Sequence, residues 1–119
     1  MRAKENQIHL IGWKEERGEG AVLVTPWSVI HFFSGVALEN MGFGFWSSQF
    51  IHGLYEIKDI VGTQLGYEYN SALNSLADQG FATAGHLSGN FFQGYHSYLL
   101  WPGVAAYLYY IWHTSEEYG

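Results

Sequence analysis

Cysteine is absent from the 119 residues, which removes disulfide frameworks, thiolate zinc sites and cysteine nucleophiles from consideration. Basic residues are scarce: five Lys and Arg stand against eleven Asp and Glu, for a formal charge of -6 with His neutral. Nucleic-acid binding needs a basic surface to neutralise phosphates, so that function class is excluded. Charge of either sign is short, at 13% of the chain, against ~25% in ordinary soluble domains. Its placement sharpens the shortage. Residues 1–19 hold eight of the charged side chains, whereas the stretch from 20 to 115 holds six: Glu39, Glu56, Lys58, Asp59, Glu68 and Asp78. No formal charge stands between Gln79 and Ser115. Long aliphatic runs are missing as well, and the mean hydropathy is only -0.07.

Aromatic residues take the place of the missing aliphatics, at 18% of the chain, together with 15 Gly. A water-facing surface cannot be assembled from residues 20–115 without broad exposed apolar patches, which soluble monomers avoid. Lipid is therefore the expected surrounding. The expected fold is all-α: a four-helix integral membrane bundle over residues 21–115, with a polar N-terminal arm at 1–20 and a short C-terminal tail at 116–119. A soluble, aromatic-rich enzyme or capsid-type structural protein is the competing reading of the same composition.

The arm carries one semi-apolar patch (Ile8, Leu10, Ile11, Trp13), suited to a membrane interface or to a short strand or turn packed on the body. It lacks the apolar core of a secretory signal, and Gly18 and Gly20 form a hinge into the rest. Thr25 followed by Pro26 is a helix start, because Thr caps free amides and Pro at the first position has no N–H to leave unpaired. Helices are expected at about 26–39, 45–61, 72–87 and 92–113, separated by Asn40-Met41-Gly42-Phe43-Gly44, by a loop over 62–69 with Asn70 or Ser71 as the next cap, and by Ser88-Gly89-Asn90. Pro102 should kink or restart the last helix. That helix, at ~33 Å, is long enough to cross a bilayer core of ~30 Å, whereas the first three need tilt, thin lipid or partial insertion. Its rings (Tyr98, Trp101, Tyr107, Tyr109, Tyr110, Trp112) suit either a headgroup belt or a packed core. Four of the five basic residues precede the first helix, which places the N-terminus in the cytoplasm.

The second helix carries the strongest chemical signal. Gln49, His52, Glu56 and Asp59 are spaced by three, four and three, which stacks them on one face. An intramembrane carboxylate is expensive and marks a functional site by default. His52 and Glu56 can share a proton across one turn, whereas Asp59, with Lys58 beside it, is expected to be wet if that end reaches the interface. On the third helix Asn74, Asp78 and Gly85 share a face, Ser75, Gln79 and His86 an adjacent one, and Ala82, Gly85 and Gly89 permit close helix approach. Asp78 must find its donor among His31, His52, His86 and Asn74. His31 shares a side of the first helix with Ser34 and Gly35, while His96 and His113 flank the fourth and His9 lies in the arm. The expected ligand-binding cluster is His31, His52, Glu56, Asn74 and Asp78, and the metal candidates are His31, His52, Glu56, Asp78 and His86. Haem or chlorin ligation by His also fits an aromatic, Gly-rich bundle, though the residues name no cofactor. No nucleophile elbow, phosphate loop or dinucleotide fingerprint occurs, so no enzyme activity is assigned.

His31-Phe32 on one apolar helix, His52-x-x-x-Glu56 on the next, then Asn74-Ser75-x-x-Asp78 with Gly85 resembles the VanZ-like group of small helical membrane proteins, over roughly residues 27–89. In that group Asp precedes Asn, the reverse of the order here, and a basic residue stands just upstream that this chain lacks. The resemblance implies a role at a bacterial-type envelope, in lipid or glycopeptide-antibiotic response, and His31, Glu56, Asn74 and Asp78 are its matched positions. The expected function is a small integral membrane protein whose intramembrane cluster binds a lipid head group, proton or ion, with membrane lipids as partners. The alternative is an accessory subunit of a larger photosynthetic or respiratory membrane complex, contacting other subunits, pigments or lipids.

Overall fold

The computed structural model describes residues 8–13, 20–66, 71–93 and 97–118. Along them run β1 (Ile8–Ile11), β2 (Ala21–Val24), α1 (Pro26–Asn40), α2 (Phe45–Leu65), α3 (Ala72–Leu87), a 3-10 turn (Gly89–Phe92) and α4 (Ser97–Tyr118). The fold is thus mostly helical, with the four expected helices in the expected order.

Local chemistry sets most boundaries. Thr25 Oγ1 accepts from the Trp27 amide at 3.2 Å while Ser28 Oγ accepts from the Thr25 amide at 2.9 Å, a reciprocal cap that starts α1 at Pro26. Ser71 Oγ accepts from the Asn74 amide at 3.0 Å and starts α3; Asn70, the other candidate cap, lies outside the described residues, as do Gly18 and His96. Gly42 at φ 95° turns the chain between α1 and α2. α2 continues past the expected end at 61, running through Gly62 to Gly66, which closes it at φ 86°. The last helix begins later than expected: Phe92 belongs to the 3-10 turn, and α4 runs from Ser97 to Tyr118. Pro102 falls near its N-terminal end, and the helix passes through it without a restart.

The purely helical expectation needs one correction. β1 and β2 pair in parallel, Ile8 opposite Ala21, His9 opposite Val22 and Ile11 opposite Val24. Both are short runs rich in β-branched residues, which favour pleated backbone; the second lies inside the 21–115 stretch expected to be helical, ahead of its first helix. β1 keeps its side chains exposed, whereas Val22 is buried. The sheet is tied to α3 by Asn74 Nδ2, which donates to the Val22 carbonyl at 2.6 Å.

α1 and α3 form the closest helix pair. A Cβ on Gly35 would fall on the Ala82 carbonyl, and one on Gly85 would fall on the Phe32 carbonyl. α2 packs on α3, while α4 leans on α1 through the Trp27–Trp112 edge contact, the Phe33–Trp101 contact and a 2.8 Å hydrogen bond from the Tyr107 hydroxyl to the Pro26 carbonyl. The expected aromatic belt is therefore divided between docking and exposure: Tyr109, Tyr110 and Trp112 remain exposed.

Polarity is inverted relative to a water-soluble bundle. Among the described residues, the buried apolar side chains are Val22, Val36, Ala82 and Ile111, whereas the buried polar ones include His31, His52, Glu56, Asp59, Asn74 and Asp78. Outside stand Trp46, Phe50, Leu54, Ile57 and Val61, an apolar stripe along α2, with Phe91 and Leu99 beyond it. Even so, no helix among the described residues is long and apolar enough to cross a membrane. α2 and α4, at 21 and 22 residues, reach ~32 and ~33 Å, so their shortfall is in hydropathy. α2 lines its inner face with ionisable groups, and α4 is rich in Tyr and Trp.

Candidate functional site

Three helices bring the ionisable groups together. α1 supplies His31, α2 supplies His52, Glu56 and Asp59, and α3 supplies Asp78 with Gln79 beside it. Spacings of four and three keep the α2 residues on one face, and that face meets α3 while the apolar stripe faces outward. The glycine-mediated approach of α1 to α3 carries His31 to the same depth: its Nε2 lies 3.3 Å from Asp78 Oδ2. Its Nδ1 meets His52 Nε2 at 2.9 Å, across 21 positions of sequence.

His52 is held from behind by a chain of amides. Its Nδ1 lies 3.0 Å from Gln79 Oε1. The Gln79 amide nitrogen in turn donates to Gln49 Oε1 and faces the Gln49 backbone carbonyl at 3.4 Å, and Thr83 Oγ1 completes the chain 3.0 Å from Gln49 Oε1. A backbone carbonyl only accepts, so the nitrogen of Gln79 must face it and the oxygen must face His52. Tyr55 closes the cluster, its ring edge-on to His31 at 5.6 Å and tilted against His52 at 5.9 Å.

Glu56 is the exception in this ordered network. It is 7% exposed, and neither carboxyl oxygen has a hydrogen-bond partner. Its Oε2 stands 3.6 Å from His52 Nδ1 and 4.0 Å from His31 Nδ1, with the buried Ser75 hydroxyl beside it. Asp59 is buried, not wet, with Lys58 Nζ 3.2 Å from its Oδ1. Lys58 points outward and rides over the Tyr55 ring; it is the sole Lys or Arg beyond Arg17. Among the described residues, the buried carboxyl groups Glu56, Asp59 and Asp78 lie close to Lys58 and the two imidazoles. Burying carboxylates is costly unless charge or hydrogen bonds compensate, so the arrangement calls for positive charge at its centre. One donor atom from each of His31, His52 and Glu56 lies within 4.8 Å of the others, and the same holds for Glu56, Asp59 and Asp78.

Of the five residues expected to form the cluster, His31, His52, Glu56 and Asp78 converge. Asn74 lies one turn from Asp78, but its amide is engaged by the Val22 carbonyl. His86 stands outside both donor groups: it lies edge-on to Phe45 at 5.8 Å, with a buried Nδ1 that has no partner. His113 is exposed and stacks against Tyr109 at 4.3 Å, and His9 is exposed on β1. The set omitted Asp59 and the Gln79–Gln49–Thr83 chain. The spacing of Gln49 and Asp59 from His52 and Glu56 already carried the first signal; the contact of Gln79 with His52 needed the α2–α3 packing.

Between α1 and α2 an apolar cleft of about 320 Å³ runs down to the two imidazoles, walled by Trp27, Ile30, Leu38, Ile51 and Tyr55. That volume is at the small end of ligand pockets. The chain matches no protein-family model, no curated protein and no solved structure. Its resemblance to the VanZ-like group rests on the short motifs alone.

Proposed function

We propose that this is a small lipid-embedded helical protein whose buried His/Glu/Asp centre binds a polar group entering from the α1–α2 cleft, either a lipid head group or an ion. The carrying observation is the partnerless, buried Glu56 carboxyl beside two imidazoles at the foot of an apolar cleft. The inverted distribution supports the lipid setting: ionisable groups point inward, and Trp46, Phe50, Leu54, Ile57 and Leu99 point outward. The hydropathy shortfall of α2 has a physical source in this setting, since an average over the helix also counts the residues that face the centre. The cleft is apolar along its walls and basic or polar only at its floor, a shape suited to an amphiphile that leaves its chain among Ile30, Leu38 and Ile51.

The test has two arms. Carbonate washing of membranes should leave the chain in the pellet, and detergent should release it; release by carbonate alone overturns the lipid setting. Native mass spectrometry of the detergent-purified protein should show bound lipid that is lost when Ala37→Phe narrows the cleft. Unchanged lipid binding in that variant overturns the cleft as the route.

A second reading draws on α4, which touches the bundle along one side and exposes Leu99, Tyr109, Tyr110 and Trp112. Neighbouring subunits of a larger membrane complex would cover that face. Cross-linking from Tyr109 or Trp112 to another chain in native membranes supports this reading, and exclusive contact with lipid removes it.

A further inference from the structure

The outer partners of His31 and His52 determine where their lone pairs point. Gln79 presents its amide oxygen to His52 Nδ1 at 3.0 Å, so His52 carries its proton on Nδ1 and donates it there. A neutral His52 then has a bare lone pair on Nε2. An ionised Asp78 likewise only accepts, so His31 donates from Nε2 across 3.3 Å and its Nδ1 is bare. These two bare nitrogens face each other at 2.9 Å. Two acceptors at that separation repel unless a cation lies against both, and the third group beside them is the Glu56 carboxyl, 4.0 Å from His31 Nδ1 and 3.6 Å from the Nδ1 of His52.

We infer that His31, His52 and Glu56 bind one divalent first-row transition-metal ion, with Asp78 and Gln79 orienting the two imidazoles from outside. The inference deepens the proposed function by naming the ion, and it rests on the centre being a binding site. Two ligands each ~2.1 Å from one ion stand ~3.0 Å apart at right angles and ~3.4 Å apart at the tetrahedral angle, so the imidazole nitrogens at 2.9 Å are nearer the right-angled arrangement. Two His and one carboxylate are the donor set of open transition-metal sites, which keep positions free for a further ligand. Both imidazoles border the cleft, so such positions are within reach of a polar head group. The Asp78–His31 pair has the form of the carboxylate–histidine–metal arrangement that fixes a ligand's tautomer and raises its basicity. The ion also compensates the buried Glu56 carboxyl.

The whole chain, purified in mild detergent and stripped with chelator, is titrated with Co2+ and Zn2+. The expected result is one ion per chain, a visible Co2+ spectrum and displacement of Co2+ by Zn2+. Glu56→Gln and His52→Ala should each weaken binding at least ~100-fold, and Asp78→Asn or Gln79→Leu by ~10- to 100-fold. His113→Ala should bind as the parent does, and circular dichroism confirms that each variant is folded. Absence of stoichiometric binding by the folded parent overturns the inference and leaves a proton shared by the imidazoles as the cation. Undiminished binding by folded Glu56→Gln and His52→Ala overturns it too, since the ion then sits elsewhere. Metal failure with the chain still in the carbonate-resistant pellet sinks the metal alone; metal binding by a carbonate-released chain sinks the lipid setting alone.

Discussion

Gly35 and Gly85 occupy the same helix crossing, each placed where a side chain on it would overlap the backbone of the other's helix. A Cβ on Gly35 meets the Ala82 carbonyl and the His86 amide, and one on Gly85 meets the Phe32 carbonyl. Backbone cannot yield as a flexible side chain does, so α1 and α3 must separate to admit even a methyl group. Since α1 carries His31 and α3 carries Asp78, separation lengthens their 3.3 Å contact. Gly35→Ala and Gly85→Ala should each destabilise the fold by ~1–3 kcal/mol or more, read as a lowered thermal midpoint. Gly53→Ala, with open space around it, should be neutral or slightly stabilising.

Asn74 ties the sheet to α3. Its Nδ2 donates to the Val22 carbonyl, which is buried with it. Asn74→Leu removes the donor that ties the Val22 carbonyl to α3, a cost of ~0.5–1.5 kcal/mol. Amide exchange over 21–24 should speed up while exchange in α2 stays slow. Faster exchange throughout α2 as well would show that Asn74 supports the centre after all.

The helical order was legible because it depended on local chemistry: Thr25-Pro26, Ser71 and the glycines at 42 and 66 act within a few residues of themselves. The inward face of α2 was equally plain from the spacing of Gln49, His52, Glu56 and Asp59. The partners were not. Asn74 and Asp78 share a face of α3, yet one reaches β2 and the other reaches α1, a choice made by which element lies opposite. Asp59 reads as wet only where Lys58 marks an interface, but Lys58 extends outward while Asp59 is buried. β2 was missed since Ala-Val-Leu-Val just before a capped helix has no period long enough to tell strand from helix.

Gln79 sets the tautomer of His52, so altering it should change the imidazole without touching its neighbours in sequence. Gln79→Leu removes the acceptor on Nδ1 and frees the proton to move to Nε2, facing His31. In 15N-labelled protein the parent should show His52 protonated on Nδ1, and the variant should show a mixed or Nε2-protonated ring. An unchanged ring pattern would mean that Gln79 does not orient it.

Acid should weaken ion binding. Imidazole nitrogens and the Glu56 carboxyl must be free of protons to ligate, so each proton that the ion displaces makes the apparent affinity fall about tenfold per pH unit wherever that group is protonated in the ion-free protein. Zn2+ affinity measured from pH 8 down to pH 5 should decline throughout, and titrations in buffers of different ionisation enthalpy should show proton release. A pH-independent affinity would be incompatible with His31, His52 and Glu56 as ligands.

Leu54 tests the surroundings of the bundle more directly than any group in the centre. It is 52% exposed, midway along α2 in the apolar stripe between Phe50 and Ile57, with the outward Lys58 one turn further on. In water, a charge at such a position changes stability by no more than ~0.5 kcal/mol. In hydrocarbon, Lys or Asp at mid-helix costs ~2.5–3.5 kcal/mol. Leu54→Asp should therefore sharply reduce the folded, membrane-recovered chain, while Leu54→Phe leaves it unchanged. If Leu54→Asp accumulates as the parent does, with the same thermal midpoint, the outer face of α2 meets water, and the inverted arrangement of polarity must be explained without lipid.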